Sequence, residues 1–145
     1  MTQEELDYEL YVAAGPDNDQ PRVEELLALG ANPSSIGEGG WGNALHWAAH
    51  FGRVKIVQLL LAHGAVLESR ARDGCTPLLL AALYDKPDVV RVLIAKGADP
   101  RLKNDNGEDT LNCYGDYANG FQGIDVQVKM VRVAEIVSLW RPMMV

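Results

Sequence analysis

Histidine is the side chain in this sequence best suited to metal binding or acid–base catalysis. His46 and His50 lie four residues apart, which would place two imidazoles on one face of a helix. Two imidazoles are too few for zinc, which takes three or four protein ligands, and Trp47 rather than glutamate follows His46. We therefore expect a structural role for His46 and a surface position for His50.

The cysteines and the remaining polar residues add no catalytic pattern. Cys75 and Cys113 lack the short spacing of a zinc site, and no nucleophile motif accompanies the three histidines. Two cysteines in a chain of 145 residues are typical of free, buried thiols in a reducing compartment. The sequence predicts a protein that is not an enzyme and needs no cofactor. The alternative is an enzyme or metal-dependent protein that uses the helix carrying His46 and His50.

Composition narrows the range of partners. The formal net charge is −7 and the sequence pI is about 4.8, which argues against broad binding to nucleic acid or to anionic membranes. Residues 1–10 are acidic and contain no apolar run, so a signal peptide is not expected. The longest uncharged apolar stretch, residues 77–84, is too short to span a bilayer. We expect a cytoplasmic or nuclear protein.

The elements that position these residues recur at a fixed period. Residues 43–49 (NALHWAA) and 76–82 (TPLLLAA) are 33 residues apart, and so are Gly64-Ala65 and Gly97-Ala98. A weaker copy begins at Asp109. A repeat of 20 to 50 residues is the signature of a solenoid.

Four units follow from this period, within one domain over residues 1–145. Their approximate bounds are residues 5–34, 35–68, 69–101 and 102–140. Proline and capping residues predict second helices at about 21–29, 54–63 and 88–96, each closed by glycine. First helices are expected at about 44–51 and after Thr76-Pro77, and a longer last helix at about 125–139. The loop before Asn43 carries one extra residue.

The repeated motifs resemble the ankyrin repeat, with its T-P-L-H-x-A-A start and its L-L-x-x-G-A-D end. The two middle units match closely, and the outer two less so. The resemblance implies an all-α solenoid of stacked helix pairs from which turns project like fingers. It also implies that His46 bonds locally and to the adjacent repeat. Leu79 stands at the histidine position of the third unit, and Asp109 and Asn112 replace Thr and His in the fourth.

The positions after the Ala-Ala pair commonly face the concave groove in ankyrin-like units. Phe51, Tyr84 and Tyr117 share the second of these positions, 33 residues apart. We predict that they form an aromatic stripe that binds a partner. The alternative is that the rings pack between repeats. The first of the two positions in units two to four adds three further candidates, which are His50, Leu83 and Asp116.

The finger tips supply a second group of candidates. Trp41, Arg72, Asp73 and Asp105 fall on the predicted turns. Trp41 either anchors a partner or folds back on the finger of the third unit. We expect Trp47 in the core and Trp140 over the end of the last helix.

These features favour an interaction module without catalytic activity. We expect a monomer that binds another protein, as an adaptor or an inhibitor, through its concave groove and fingers. The resemblance to small stand-alone ankyrin proteins that act in these ways implies the same role. The acidic residues Glu4, Glu5, Asp7 and Glu9 either solubilise the end of the solenoid or steer a basic partner.

Overall fold

The computed structural model describes residues 1–114 and 126–140, and within them it contains seven α-helices, one short 3₁₀ helix and no strand. The fold is therefore all-α, as predicted. None of these helices is long and apolar enough to cross a bilayer. The helices are α1 (Gln3–Ala14), α2 (Gln20–Ala28), α3 (Ala44–Phe51), α4 (Val54–Ala62), α5 (Pro77–Leu83), α6 (Pro87–Ala95) and α7 (Val126–Trp140), and the 3₁₀ helix is Glu38–Gly40.

The helices stack in two rows. Helices α1, α3 and α5 pack side by side in an inner row, and α2, α4 and α6 form an outer row that α7 extends by packing on α6. The core lies between the rows and consists mainly of leucine, valine and alanine. The Ala-Ala pairs of the second and third units, Ala48-Ala49 and Ala81-Ala82, are fully buried. Their small side chains let neighbouring inner helices approach closely, as a solenoid requires.

Each outer helix ends in the same glycine turn. Gly30, Gly64 and Gly97 have φ angles of 97°, 87° and 100°, which other residues adopt only at a cost. The alanine after each glycine donates its N–H to the carbonyl of a leucine five residues earlier, at 3.0 Å. This is the bond of a Schellman motif, and it explains why glycine recurs at every outer helix end.

Helix starts were predicted well in the middle of the chain and less well at its beginning. Asp19 and Thr76 accept the backbone N–H groups of Arg22 and Leu79, and so act as the expected N-caps. Helix α1 begins earlier than its apolar pattern indicates. Thr2 caps it in a reciprocal pair with Glu5, a capping box that the sequence analysis missed.

The acidic residues of α1 hold the first unit together. Besides the Glu5 cap, the Asp7 carboxylate accepts the backbone N–H of Asn32 at 2.7 Å, and Glu9 pairs with Arg22 at 3.4 Å. These three carboxylates therefore have local structural partners.

The fingers are short hairpins tied to one another. Backbone bonds close them between residues 37 and 42, 71 and 75, and 104 and 108. The first closure spans one residue more than the others, which places the extra residue inside that finger. Arg72 N–H donates to the Gly40 carbonyl at 2.7 Å, and Asp105 N–H to the Asp73 carbonyl at 2.9 Å. These bonds run from finger to finger.

His46 has the structural role that the resemblance implies. The ring is buried, its Nδ1 accepts the N–H of Asn43 at 3.2 Å, and its Nε2–H donates to the carbonyl of Cys75 at 2.9 Å. The second bond crosses to the next finger. In the third unit, Leu79 fills this position with apolar contacts to Leu83 and the two cysteines.

The fourth unit keeps the local cap of the second unit without a histidine. The Asn112 side-chain oxygen accepts the N–H of Asp109 at 2.9 Å, and the Asp109 carboxylate accepts the N–H of Asn112 at 2.9 Å. Asn43 and His46 form the same reciprocal cap in the second unit, where His46 also reaches the next finger.

Enlarging a buried alanine between α3 and α5 should destabilise the stack. We expect Ala81→Leu to lower the free energy of unfolding by about 1–3 kcal/mol, because the added methyl groups overpack the helix contact. Ala95→Leu adds the same atoms at an exposed position of α6 and serves as the control. Urea unfolding measures both, and equal stabilities would show that Ala81 does not pack against the neighbouring unit.

Burial of His46 should make stability depend on pH. Desolvation lowers its pKa in the folded protein, so the unfolded chain binds the proton more readily. The contribution is fully present above the unfolded pKa of about 6.5 and is lost as pH falls toward the folded pKa. His46→Gln should flatten this decline, and His63→Gln, at an exposed position, should not. Urea unfolding from neutral to mildly acidic pH tests this, and identical slopes for both variants would contradict it.

Candidate functional site

A chain of aromatic rings crosses the first three units on the side of the inner helices that faces the fingers. We call this surface the groove and the rings the aromatic ladder. The stacked rings of Tyr11 and Trp47 lie 5.9 Å apart, and those of Trp47 and Phe51 lie 6.0 Å apart. His50 meets the Tyr84 ring edge-on at 4.0 Å. The ladder therefore passes from α1 through α3 to the end of α5.

Neighbouring groups extend the aromatic ladder and give it little charge. Tyr8 lies edge-on to Tyr11 at 4.9 Å, and the Arg53 guanidinium lies 5.5 Å from the centre of the Phe51 ring. Desolvation, and then the charge of Lys86, lowers the pKa of His50, so its imidazole is neutral at pH 7. Desolvation also raises the pKa of Tyr11.

The predicted aromatic stripe lies only partly in the described residues. Phe51 and Tyr84 are half-buried in the groove. The Phe51 ring also packs beside Gly15 of the first unit, which is the contact between repeats that the alternative predicts. Tyr117 and Asp116 lie outside the described residues.

Continuity of the aromatic ladder comes from two residues that were not predicted there. Trp47 was expected in the core, and this was wrong, because its half-buried ring lies between Tyr11 and Phe51 in the groove. Tyr11 stands in the first unit where His46 stands in the second, since both precede an Ala-Ala pair by the same spacing. Aligning the first unit on this pair places Tyr11 in the register of the first helix, but the spacing does not record its ring contact with Trp47.

Leu83 does not belong to the groove, contrary to the prediction. It is 2% exposed and packs with Cys75, Leu79 and Cys113 in a small apolar cluster. Helix α5 ends at Leu83, so the following Tyr84 takes the ring position beside His50. His50 itself is half-buried rather than fully on the surface.

Trp41 remains exposed at the mouth of a cavity. Its side chain is 67% exposed, and the Arg72 side chain packs on Gly40 rather than over the indole. A cavity of about 220 Å³ opens beneath it, between the fingers and the inner helices of units two and three. Trp47, His50 and Tyr84 of the aromatic ladder line its floor.

The charged finger residues are accessible, as predicted. Arg72, Asp73 and Asp105 are exposed. Asp73 also lines the cavity, and its carboxylate is held in place by the N–H of Cys75 at 3.1 Å and by the Cys75 thiol at 3.3 Å. The site thus combines several rings with one positioned carboxylate.

The side chains considered for catalysis are already engaged. Both ring nitrogens of His46 are used in hydrogen bonds, which leaves His50 as the only imidazole of α3 with a nitrogen to offer. No group of three or more potential ligands that could hold a metal occurs in residues 1–114 and 126–140. Burial raises the pKa of Cys75 to about 12, so this thiol stays protonated and is a poor nucleophile.

Comparison with known proteins agrees with the geometry. A family model described as ankyrin repeats, in three copies, matches residues 10–104. The 2-5A-dependent ribonuclease of Mus musculus is 41% identical over 73 residues, which are 50% of this chain and 10% of that protein. Protein phosphatase 1 regulatory subunit 27 of Mus musculus is 42% identical over 65 residues, which are 45% of this chain and 42% of that protein.

A third relative shares a longer segment. SH3 and multiple ankyrin repeat domains protein 2 of Homo sapiens is 33% identical over 99 residues, which are 68% of this chain and 5% of that protein. The chain thus spans less than half the length of each of these relatives. The helix pairs, the tied fingers and the His46 bond agree with the family match. This chain therefore belongs to the ankyrin-repeat family.

Proposed function

We propose that this chain is a non-catalytic module that binds another protein through its groove. The observation that carries the proposal is the aromatic ladder, which continues across three units with its rings partly exposed to solvent. Tyrosine and tryptophan are enriched among residues that dominate binding energy at interfaces. A structural role alone would not require rings at the surface of both α1 and α3.

Rigidity supports the same conclusion. The rings are attached to capped helices, and Trp41 is attached to a finger whose backbone is tied to the next finger. Side chains presented in this way lose little further freedom on binding, so more of the contact energy appears as affinity. The neutral His50 adds no desolvation cost of a charge.

Relatives support a regulatory binding role. One of them is named as a regulatory subunit of protein phosphatase 1, and another as a protein with an SH3 domain and multiple ankyrin repeats. We propose that this chain acts likewise as an adaptor or inhibitor, in the cytoplasm or nucleus. Two buried free thiols and an acidic composition fit such a compartment and a protein partner rather than nucleic acid.

We further propose that the chain is one monomeric domain of four units. The local cap of Asp109 and Asn112 marks the start of a fourth unit, and Arg91 of α6 pairs with Glu135 of α7. Arg101 also lies over the Trp140 ring at 4.8 Å. These contacts support α7 as the helix that closes the stack, and the Arg101 side chain covers one face of the Trp140 ring.

Removing either Trp41, at the mouth of the cavity, or Trp47, at the centre of the aromatic ladder, should weaken partner binding. We expect Trp41→Ala and Trp47→Ala each to reduce affinity for a captured partner by about 2 kcal/mol or more, which is about thirtyfold. Affinity capture from lysate followed by mass spectrometry identifies the partner, and titration calorimetry then measures the variants.

The control is Leu29→Ala, which removes an exposed apolar side chain next to α2 in the outer row. Circular dichroism confirms that each variant is folded. A partner bound equally by the native chain and by both tryptophan variants would exclude the groove as the binding surface. Failure of Trp47→Ala to fold would assign that ring to stability, and Trp41→Ala would then decide the matter.

A further inference from the structure

We propose that the cavity beneath Trp41 receives a lysine side chain of the bound protein. This inference rests on the proposed function, since it names the chemistry of the partner at the groove. We call the cavity the ring pocket, lined by Trp41, Trp47, His50, Leu80, Tyr84 and Asp73. Its volume of about 220 Å³ gives room for one side chain.

The walls of the ring pocket offer ring surfaces in several planes. The rings of Trp47 and His50 are inclined at 65° to each other, and so are those of His50 and Tyr84. Such walls surround a ligand rather than stacking on one side of it. The faces of Trp47 are stacked on Tyr11 and Phe51, so a cation would be attracted chiefly by the negative π surfaces of Trp41 and Tyr84. The alkyl stem of lysine fits the apolar remainder of the walls.

One carboxylate selects for positive charge in this apolar setting. Asp73 is fixed by the N–H and thiol of Cys75 and, through its carbonyl, by the N–H of Asp105. Each of its carboxylate oxygens accepts one of these bonds and keeps a lone pair for a ligand. A neutral aliphatic side chain would bury the same walls but would desolvate Asp73 without pairing it.

Within residues 1–114 and 126–140, no lysine or arginine lines the ring pocket. The Arg72 side chain lies on Gly40, the Lys86 side chain lies beside Gly52, and Arg53 lies over Phe51 on the other side of the aromatic ladder. None of the ion pairs within residues 1–114 and 126–140 involves Asp73. The net charge of −7 adds a field that attracts a basic segment.

Titration with two matched peptides tests the proposal. The probes are Ac-Gly-Gly-Lys-Gly-Gly-amide and the same peptide with norleucine, which keeps the stem and lacks the ammonium group. We expect the lysine peptide to shift the indole N–H signals of Trp41 and Trp47 in two-dimensional NMR spectra, with Trp140 as the unaffected reference. The norleucine peptide should cause no saturable shift at the same low-millimolar concentrations.

Substitution of the carboxylate gives the second arm. Asp73→Asn keeps an acceptor for the Cys75 N–H but removes the charge, and it should weaken lysine-peptide binding about two- to fivefold. Asp17→Asn, on an exposed turn of the first unit, removes the same charge elsewhere and should leave binding unchanged. Norleucine binding as tight as lysine binding, or equal affinity for both asparagine variants, would overturn the proposal.

The outcomes separate this inference from the proposed function. A protein partner lost by Trp41→Ala but bound equally by the native chain and by Asp73→Asn leaves the groove function standing and removes the lysine pocket. Saturable lysine-peptide binding that requires Asp73, without any captured partner that depends on the groove, supports the pocket and removes the broader proposal.

Discussion

Close approach of the inner helices is the constraint on which this structure depends. No single helix pair can bury its apolar face alone, so each unit must press against the next. The buried alanines at 48, 49, 81 and 82 permit that approach. The large rings of α1 and α3 lie instead on the side of the inner helices that faces the groove, where Trp47 stacks on Tyr11 and Phe51. Small side chains between the helices and large rings along the groove are thus two parts of one arrangement.

Hydrogen bonds between units fix the positions of the fingers, which helix packing alone would not fix. His46 joins the second unit to the carbonyl of Cys75 in the third, and that carbonyl also closes the finger at Ala71. This finger places Asp73 at the edge of the cavity. The bond from the Arg72 N–H to the Gly40 carbonyl holds the neighbouring finger, which carries Trp41, at the same cavity. A buried histidine with both ring nitrogens engaged in structural bonds thus helps to position the two groups on which recognition depends in our proposals.

The chemistry of the groove suits binding better than catalysis. The imidazole of His50 is neutral at pH 7, the Cys75 thiol behind the finger stays protonated, and the Asp73 carboxylate is held by hydrogen bonds within its own finger. In our proposals this surface recognises shape, apolar area and one positive charge. Apart from His46, the residues that line the ring pocket are separate from the buried alanine pairs and the capping residues, so their variation would alter recognition in our proposals without disturbing the stack.

The sequence by itself determined the repeat, the helix pairs and the role of His46. Capping residues, helix-ending glycines and alanine pairs act within a few residues of the chain, so their spacing is sufficient to predict them. Only the tertiary structure decided that Trp47 faces the groove, that Leu83 is buried and that Tyr11 joins the aromatic ladder. These outcomes depend on the rotation of each helix against its neighbours and on where α5 ends. The contacts of Tyr11 with Trp47 and of His50 with Tyr84 join residues more than thirty positions apart, and no local pattern records them.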